Sequence, residues 1–257
     1  MNGIEIVKIF EQLYPKDLAY NWDNVGLQIG TLNKDIDSVL LTLDLTLEVV
    51  EEAIENKNQL IIVHHPLIFS PLMSIETDTY KGNIIEKLIK SDIALYVAHT
   101  NFDVSAYGMN TILANMLNLK NQEVLELTTE DEGLGKVGTV NSIVMKDYIK
   151  IVKDTFKVDN ARFIGDMNKI VNKVAITGGS GSSTIKCASN NTVDILITGD
   201  ISYHHAHDAL AMNLNVLDIG HNIEKFFVNE LKNLLKSKGV KANILISQIN
   251  TDPYKFV

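Results

Sequence analysis

Short apolar runs alternate along this chain with segments whose apolar side chains recur at helical spacing. After a first helix expected over residues 4–14, buried strands are predicted at 37–44, 60–63, 93–98, 172–177, 193–198, 215–219 and 242–247. Helices are predicted between them at 47–56, 83–91, 109–117, 182–189 and 223–235. Strands that alternate with helices in this way form βαβ units, so we predict an α/β fold of two similar lobes with mainly parallel strands.

The domain organisation follows from length and from one change in composition. A chain of 257 residues can form one large domain or two small ones. Residues 121–140 are rich in glycine and acidic side chains, which favours a domain junction there. We therefore predict an N-terminal lobe over residues 1–125 and a C-terminal lobe over residues 126–257, with a soft boundary that allows the lobes to interleave.

Composition excludes several classes of protein. The chain is 46% hydrophobic and 21% charged, which is typical of a globular protein rather than a disordered one. Its formal charge of −9 disfavours stable binding to duplex nucleic acid. The apolar runs are too short to span a membrane, and Met1–Glu5 has no signal-peptide character, so a cytoplasmic location is expected. Cys187 is the only cysteine, which excludes an intramolecular disulfide and a multi-thiolate metal site.

Histidines recur where predicted strands end. A single histidine in a loop is more often a hydrogen-bonded polar residue than a ligand, but several in equivalent places favour a site, because ligands bind at the carboxyl edge of open α/β sheets. Five of the seven histidines follow a strand directly or within a few residues: His64, His65, His99, His204 and His221.

Three of these segments carry metal-ligating side chains. His64 and His65 are adjacent before a proline, so their rings are expected to point in opposite directions and to serve two ions, or one ion and a neighbouring group. Asp103 supplies a carboxylate, although it could instead cap a helix. His221 and Glu224 share one helix face, where a capping role is the alternative. Together they indicate a non-thiolate metal site suited to zinc, iron, manganese or nickel.

Other catalytic patterns are weaker. The glycine-rich segment 178–183 has no P-loop lysine, so a tight turn from strand to helix is a better interpretation than a nucleotide cradle. The chain contains no Gly-x-Ser-x-Gly motif, and Cys187 lies inside a predicted helix. Metal-activated water is therefore a better candidate nucleophile than a side chain.

Six short motifs occur in a specific order along nearly the whole chain. They are Asn21–Leu27, Val63–Pro66, His99–Asp103, Thr198–Asp200 followed by His204-His205, Gly220–Glu224 and Thr251–Tyr254. The ordered set resembles the NGG-interacting-factor-like (Nif-three-like) dinuclear-metal proteins, which include GTP cyclohydrolase type two homologues. The resemblance implies a two-lobed α/β fold, a toroidal homohexamer, and two divalent metal ions per chain that face an internal cavity.

The resemblance also implies roles for individual residues. The implied metal ligands are His64, His65, Asp103, His221 and a bridging Glu224, while His99, and His204 with Asp200, would position water or substrate or move protons. Many family members place the glutamate four residues after the last histidine, whereas here it is three and Lys225 holds the fourth position. The short passage 133–138 predicts that this chain lacks the large domain that some relatives insert.

The function implied by the resemblance is metal-dependent hydrolysis of a small molecule, with a nucleotide as the first candidate. In a GTP cyclohydrolase type two-like reaction, activated water attacks C8 of guanine and formate is released, with His99 or His204 as the proton shuttle. The guanine assignment comes from the family alone. Arg162 is the only arginine, so the chain has little capacity for bidentate recognition of a triphosphate. The alternatives are a two-metal phosphoesterase and a ring-shaped metal-binding or regulatory protein without turnover.

Overall fold

The computed structural model describes residues 1–255, which form two compact units. The first unit comprises residues 1–102 and 227–253, and the second comprises residues 103–226 with Tyr254 and Lys255. The first unit is therefore discontinuous in sequence. Within residues 1–255, no helix combines the length and the apolar character that a membrane span requires.

Both units are mixtures of helices and strands, numbered in chain order within residues 1–255. The strands are β1 (Gly26–Ile29), β2 (Ser38–Thr42), β3 (Leu60–Val63), β4 (Ala94–Val97), β5 (Lys120–Leu127), β6 (Gly133–Val144), β7 (Arg162–Ile164), β8 (Ile170–Thr177), β9 (Ile195–Thr198), β10 (Asn215–Asp218) and β11 (Asn243–Ile246). The α-helices are α1 (Gly3–Glu11), α2 (Leu47–Glu55), α3 (Tyr80–Lys90), α4 (Thr100–Val104), α5 (Met109–Met116), α6 (Met145–Phe156), α7 (Ile185–Asn190), α8 (Tyr203–Ala211) and α9 (Phe227–Ser237). Short 3₁₀ helices cover Lys16–Leu18, Gly181–Thr184 and His221–Phe226.

The sheet of the first unit has the strand order β1-β4-β3-β2-β11. All of its pairings are parallel except that of β1 with β4. Every residue of β2, β3 and β4 is buried, as is typical of parallel strands covered on both faces. Helices α2 and α3 pack on this sheet, with Val49 and Ile84 in the same apolar cluster as Leu40 and Ile61.

The sheet of the second unit has the order β5-β6-β8-β9-β10-β7. Its central strands β8, β9 and β10 are parallel, whereas the pairings of β5, β6 and β7 are antiparallel. Buried side chains from α7, α8 and these strands form one cluster that includes Ile185, Leu196, Ala209 and Val216. The carboxyl ends of β9 and β10 lead directly into the segments that carry Asp200 and His221.

The predicted α/β class is confirmed, and the predicted strands and helices lie within a few residues of the observed ones. The sequence patterns did not predict β1, β7, α4, α6, α8 or the long antiparallel pair β5 and β6. The glycines of residues 121–140 explain the last omission. Gly135 has a φ of +74°, and a Cβ there would lie 2.7 Å from Thr177 Oγ1, so this glycine permits close strand packing.

Candidate metal centre

Three histidines of the first unit lie together at the carboxyl edge of its sheet. His64 and His65 follow β3, and His99 follows the neighbouring parallel strand β4. The ring centroids are 5.0 Å apart for His64 and His65, 5.3 Å for His64 and His99, and 5.8 Å for His65 and His99. One nitrogen from each ring lies within 4.8 Å of the other two. The structure thus places the predicted proton shuttle His99 beside two predicted ligands.

The expectation that the rings of His64 and His65 point in opposite directions is wrong. Strand β3 ends at Val63, and the backbone bends at both histidines. The alternation of side chains that holds within an extended strand no longer applies after that bend. The adjacent rings can therefore face a common centre.

Each of the three histidines is oriented through its Nδ1 atom. His64 Nδ1 lies 2.7 Å from the carbonyl oxygen of Ala98, which can only accept a hydrogen bond, so this nitrogen carries the proton. His65 Nδ1 lies 2.6 Å from a carboxylate oxygen of Asp44, and His99 Nδ1 lies 2.9 Å from one of Asp23. With the proton on Nδ1, the lone pair is on Nε2, as in histidines that bind metals.

Asp44 is held in place by the C-terminal motif. Thr251 Oγ1 donates a hydrogen bond of 2.6 Å to Asp44 Oδ2, while Asp44 Oδ1 faces His65 Nδ1. This contact gives a structural role to Thr251, the first residue of the motif Thr251–Tyr254. Asp44 follows β2, whose carboxyl end lies at the same sheet edge as that of β3. The position of Asp44 after a buried strand is the signal that would have identified it.

Asp23 anchors His99 from the loop that precedes β1. Its Oδ2 accepts hydrogen bonds from His99 Nδ1 at 2.9 Å, from the Thr100 amide at 3.0 Å and from Thr100 Oγ1 at 2.6 Å. Burial raises the pKa of Asp23, but these hydrogen bonds and the attraction of the His99 imidazole outweigh burial and lower the pKa to about 2. Asp23 is therefore ionised at neutral pH and holds His99 through its Nδ1 atom.

The second unit brings His221 and Glu224 together. They lie in the 3₁₀ helix His221–Phe226, in which side chains three residues apart are aligned. His221 Nε2 is 3.1 Å from Glu224 Oε2, so the observed spacing of three residues suits this local geometry. His221 Nδ1 is 2.5 Å from Asp200 Oδ2, which orients the ring as Asp44 orients His65.

The glycine-rich segment of the second unit packs against Glu224. A Cβ on Gly179, whose φ is +58°, would lie 2.7 Å from Glu224 Oε1, and one on Gly178 would lie 3.2 Å from the same atom. The predicted tight turn between strand and helix is confirmed, because the segment joins β8 to the 3₁₀ helix Gly181–Thr184. Its glycines leave room for a carboxylate, a group that would repel a phosphate.

Asn110 connects Asp103 to this arrangement. The buried Asn110 amide donates to the Asp103 carbonyl oxygen at 2.9 Å and accepts from the Gly178 amide at 2.9 Å. Asp103, at the start of the second unit, is thereby tied to the glycine turn that contacts Glu224. Sequence analysis missed Asn110, which sits inside α5 without a recognisable motif.

His204 is more exposed than the clustered histidines His64, His65 and His99. It is in the first turn of α8, where it is exposed and its ring centroid lies 5.8 Å from that of Tyr203. Its proton-shuttle role stays a prediction.

The side chains in both units fit the chemistry of a divalent metal ion. Neutral imidazole nitrogens and carboxylate oxygens are ligands for zinc, iron, manganese and nickel. Histidines whose Nδ1 is held by a carboxylate or a carbonyl are characteristic of such sites. Each unit therefore carries candidate metal ligands of its own: His64, His65 and His99 lie together in the first unit, and His221 and Glu224 lie together in the second.

One family of known proteins matches nearly the whole chain. The profile of the Duf34/NIF3 (NGG1p interacting factor 3) family matches residues 1–253. A Streptococcus pneumoniae protein named GTP cyclohydrolase 1 type 2 homolog is 38% identical over 265 residues, with full coverage of both chains. A Listeria monocytogenes protein of the same name is 32% identical over 368 aligned positions, covering 99% of each chain, so it contains residues that this shorter chain lacks.

A solved structure shows the same fold. The crystal structure of a Bacillus cereus protein related to NIF3 superimposes with a TM-score of 0.95 at 33% identity, covering 100% of this chain and 99% of that one. The family match spans almost the entire sequence, and the structural match spans both units. The chain therefore belongs to the Duf34/NIF3 family.

Proposed function

We propose that this protein is a metal-dependent hydrolase that holds two divalent ions on His64, His65, Asp103, His221 and Glu224. The observation that carries the proposal is the shared orientation of His64, His65 and His221. Each has its Nδ1 against a carbonyl or a carboxylate oxygen, which is the contact that orients histidines in metal sites. The alignment of His221 with Glu224 adds a carboxylate of the kind that can bridge two ions.

The side chains of this protein have distinct parts in the proposed reaction. Bound divalent ions lower the pKa of water and polarise the substrate. Asp44 and Asp200 keep His65 and His221 in a single orientation, which avoids reorganisation when substrate binds. His99 accepts a proton at Nε2, because its Nδ1 is held by the ionised Asp23, and it returns that proton to the leaving group.

GTP is the first substrate to test, because the relatives bear the name GTP cyclohydrolase 1 type 2 homolog. We propose hydrolytic opening of the guanine imidazole ring. The sole arginine, Arg162, donates to Asp218 through Nε at 3.0 Å and also contacts the Ile201 carbonyl. A guanidinium engaged in this way argues against recognition led by the triphosphate.

The proposal is tested by metal analysis and turnover on the same samples. Wild-type protein, His65→Ala and Asp103→Ala are reconstituted with manganese, zinc or iron and assayed with GTP and with a generic phosphodiester. We expect about two ions per wild-type chain, a lower content in both variants, and formate release from GTP. Unchanged metal content in both variants would contradict the ligand assignment, and release of alcohol from the phosphodiester alone would favour a phosphoesterase.

A Glu224→Ala variant serves as the inactive reference. If wild type in every metal state turns over no more than this variant, the protein binds metal without catalysis. We also propose a homohexamer, on the family resemblance alone, and native mass measurement of the same samples tests it.

A further inference from the structure

A group of three aromatic rings, two of them exposed and one half-buried, lies on the first unit beside its histidines. Trp22 is 56% exposed, and Tyr20 stacks on it with centroids 5.5 Å apart and ring planes 9° from parallel. Phe69, itself 49% exposed, lies 5.7 Å from Trp22. We refer to Tyr20, Trp22 and Phe69 as the aromatic shelf. A large indole left this exposed forfeits burial energy, which points to a binding role.

Hydrogen bonds on both sides fix the position of the aromatic shelf. On one side, the Tyr20 amide donates to Thr100 Oγ1 at 3.1 Å, and Asp23, next to Trp22, is anchored on Thr100 and His99. On the Phe69 side, the Gln28 side chain accepts from the Ile68 amide and donates to the Ile68 carbonyl, both at 2.9 Å. The rings are therefore presented by backbone that is tied down at both ends.

The aromatic shelf is adjacent to the three clustered histidines. The centroids of Trp22 and His99 are 6.3 Å apart, with the ring planes at 72°. His99 is in turn 5.3 Å from His64 and 5.8 Å from His65. A planar ring stacked on the indole would thus have its edge near the nitrogens that we propose as metal-ligating and proton-transferring groups.

We infer that the aromatic shelf is the subsite that binds the heteroaromatic ring of the substrate by stacking, with a purine as the ring class. This inference rests on the proposed function, because it names how the same site holds its substrate. Stacking suits a protein with a net charge of −9, which has little electrostatic attraction for a polyanion. Base stacking on an aromatic side chain contributes to affinity without requiring a positive charge on the protein.

The sequence provides its own reporter, since Trp22 is the only tryptophan. The emission of the full-length protein, excited at a wavelength that tryptophan absorbs and the eight tyrosines do not, therefore reports on Trp22 alone. Guanosine, ribose 5-phosphate and inorganic triphosphate are titrated into metal-free and manganese-loaded protein. We expect guanosine to quench the Trp22 emission in both forms, whereas the two phosphates without a base leave it unchanged.

Two substitutions and a control measure the contribution of the ring. By equilibrium dialysis, Trp22→Ala is expected to weaken guanosine binding by about tenfold to a hundredfold. Trp22→Phe keeps a smaller aromatic face and should retain most of the affinity. Tyr107→Ala removes another exposed aromatic side chain, in the second unit, and should bind guanosine as wild type does. Circular dichroism verifies that all three variants are folded.

The inference is overturned if guanosine leaves the emission unchanged, or if Trp22→Ala binds guanosine as tightly as wild type. It is also overturned if the wild-type emission is blue-shifted and resists iodide quenching, because another copy of the chain would then cover the aromatic shelf. Failure of the proposed hydrolase activity can be distinguished from failure of this inference. Guanosine binding without turnover contradicts the enzyme proposal alone, and metal binding with turnover but without Trp22-dependent guanosine binding contradicts this inference alone.

Discussion

Replacing Asp200 by asparagine should weaken metal binding without unfolding the protein. Asp200 Oδ2 lies 2.5 Å from His221 Nδ1, and this contact sets which ring nitrogen carries the proton. In Asp200→Asn the side-chain NH₂ can donate to Nδ1, which would move the imidazole proton to Nε2. The lone pair that we assign to the metal would then be lost from part of the population.

The expected magnitude follows from the exposure of the pair. Loss of a carboxylate that orients a metal-binding histidine lowers metal affinity by about 10- to 100-fold, or roughly 1.4–2.7 kcal/mol. The side chains of His221 and Asp200 are 36% and 45% exposed, so solvent screens their attraction. We therefore expect a value near the lower limit, about tenfold.

The assay is competition for zinc between the protein and a chromogenic chelator near neutral pH. Asp208→Asn is the matched control, because it removes the same charge from an exposed position on α8. Asp200→Asn should also have no added effect when His221 is already alanine. An unchanged zinc dissociation constant in Asp200→Asn, or an equal loss in Asp208→Asn, would refute orientation of His221 by Asp200.

Three further outcomes are expected. The pKa of Asp23 is about 2 in the folded protein, below its ordinary value of 3.8, so its stabilisation is present at neutral pH and is lost as the pH falls from about 4 to about 2. In acid titrations of the metal-free protein, Asp23→Asn should reduce the pH-dependent part of the free energy of unfolding by about 1–2 kcal/mol. An unaltered acid transition would contradict this. Gly179→Ala should lower metal content, because the added methyl group displaces Glu224. The control Gly239→Ala is also at positive φ but has open space around the added methyl group, so it should lower only the melting temperature. Equal metal content in the two variants would argue against displacement of Glu224. Chelation of metal should lower the melting temperature of wild type by more than that of His65→Ala, as calorimetry can measure, and identical shifts would count against His65 as a ligand.

The sequence predicts most of the sheet framework, because buried parallel strands such as Leu60–Val63 are continuous apolar runs that end abruptly. It does not predict β5 and β6, since their partly exposed faces and glycines resemble a loop. In a sequence, glycine usually indicates a turn. Gly135 instead allows two strands to pack closely, because a larger residue there would collide with Thr177 of the neighbouring strand.

The histidines of the candidate site are predictable because they follow strands. The carboxylates that orient these histidines are not predictable, because they are distant in sequence. His64, His65 and His99 follow directly from strand ends. Asp44 and Asp23 orient His65 and His99 across 21 and 76 residues, and no local pattern reports such pairs. The spacing of His221 and Glu224 also has its explanation in a 3₁₀ rather than an α-helical turn, a distinction that periodicity over four residues does not make.

The interrupted course of the first unit has a consequence for the order of folding during synthesis. Strand β11 pairs with β2, and Thr251 holds the carboxylate that orients His65, although these partners are separated by about 200 residues of chain. Contacts of such sequence separation form slowly, because loop-closure entropy must be overcome first. His65 therefore gains its final orientation only after the ribosome has made the last part of the chain, and the metal loading that we propose at this histidine would be a late event in the maturation of the protein.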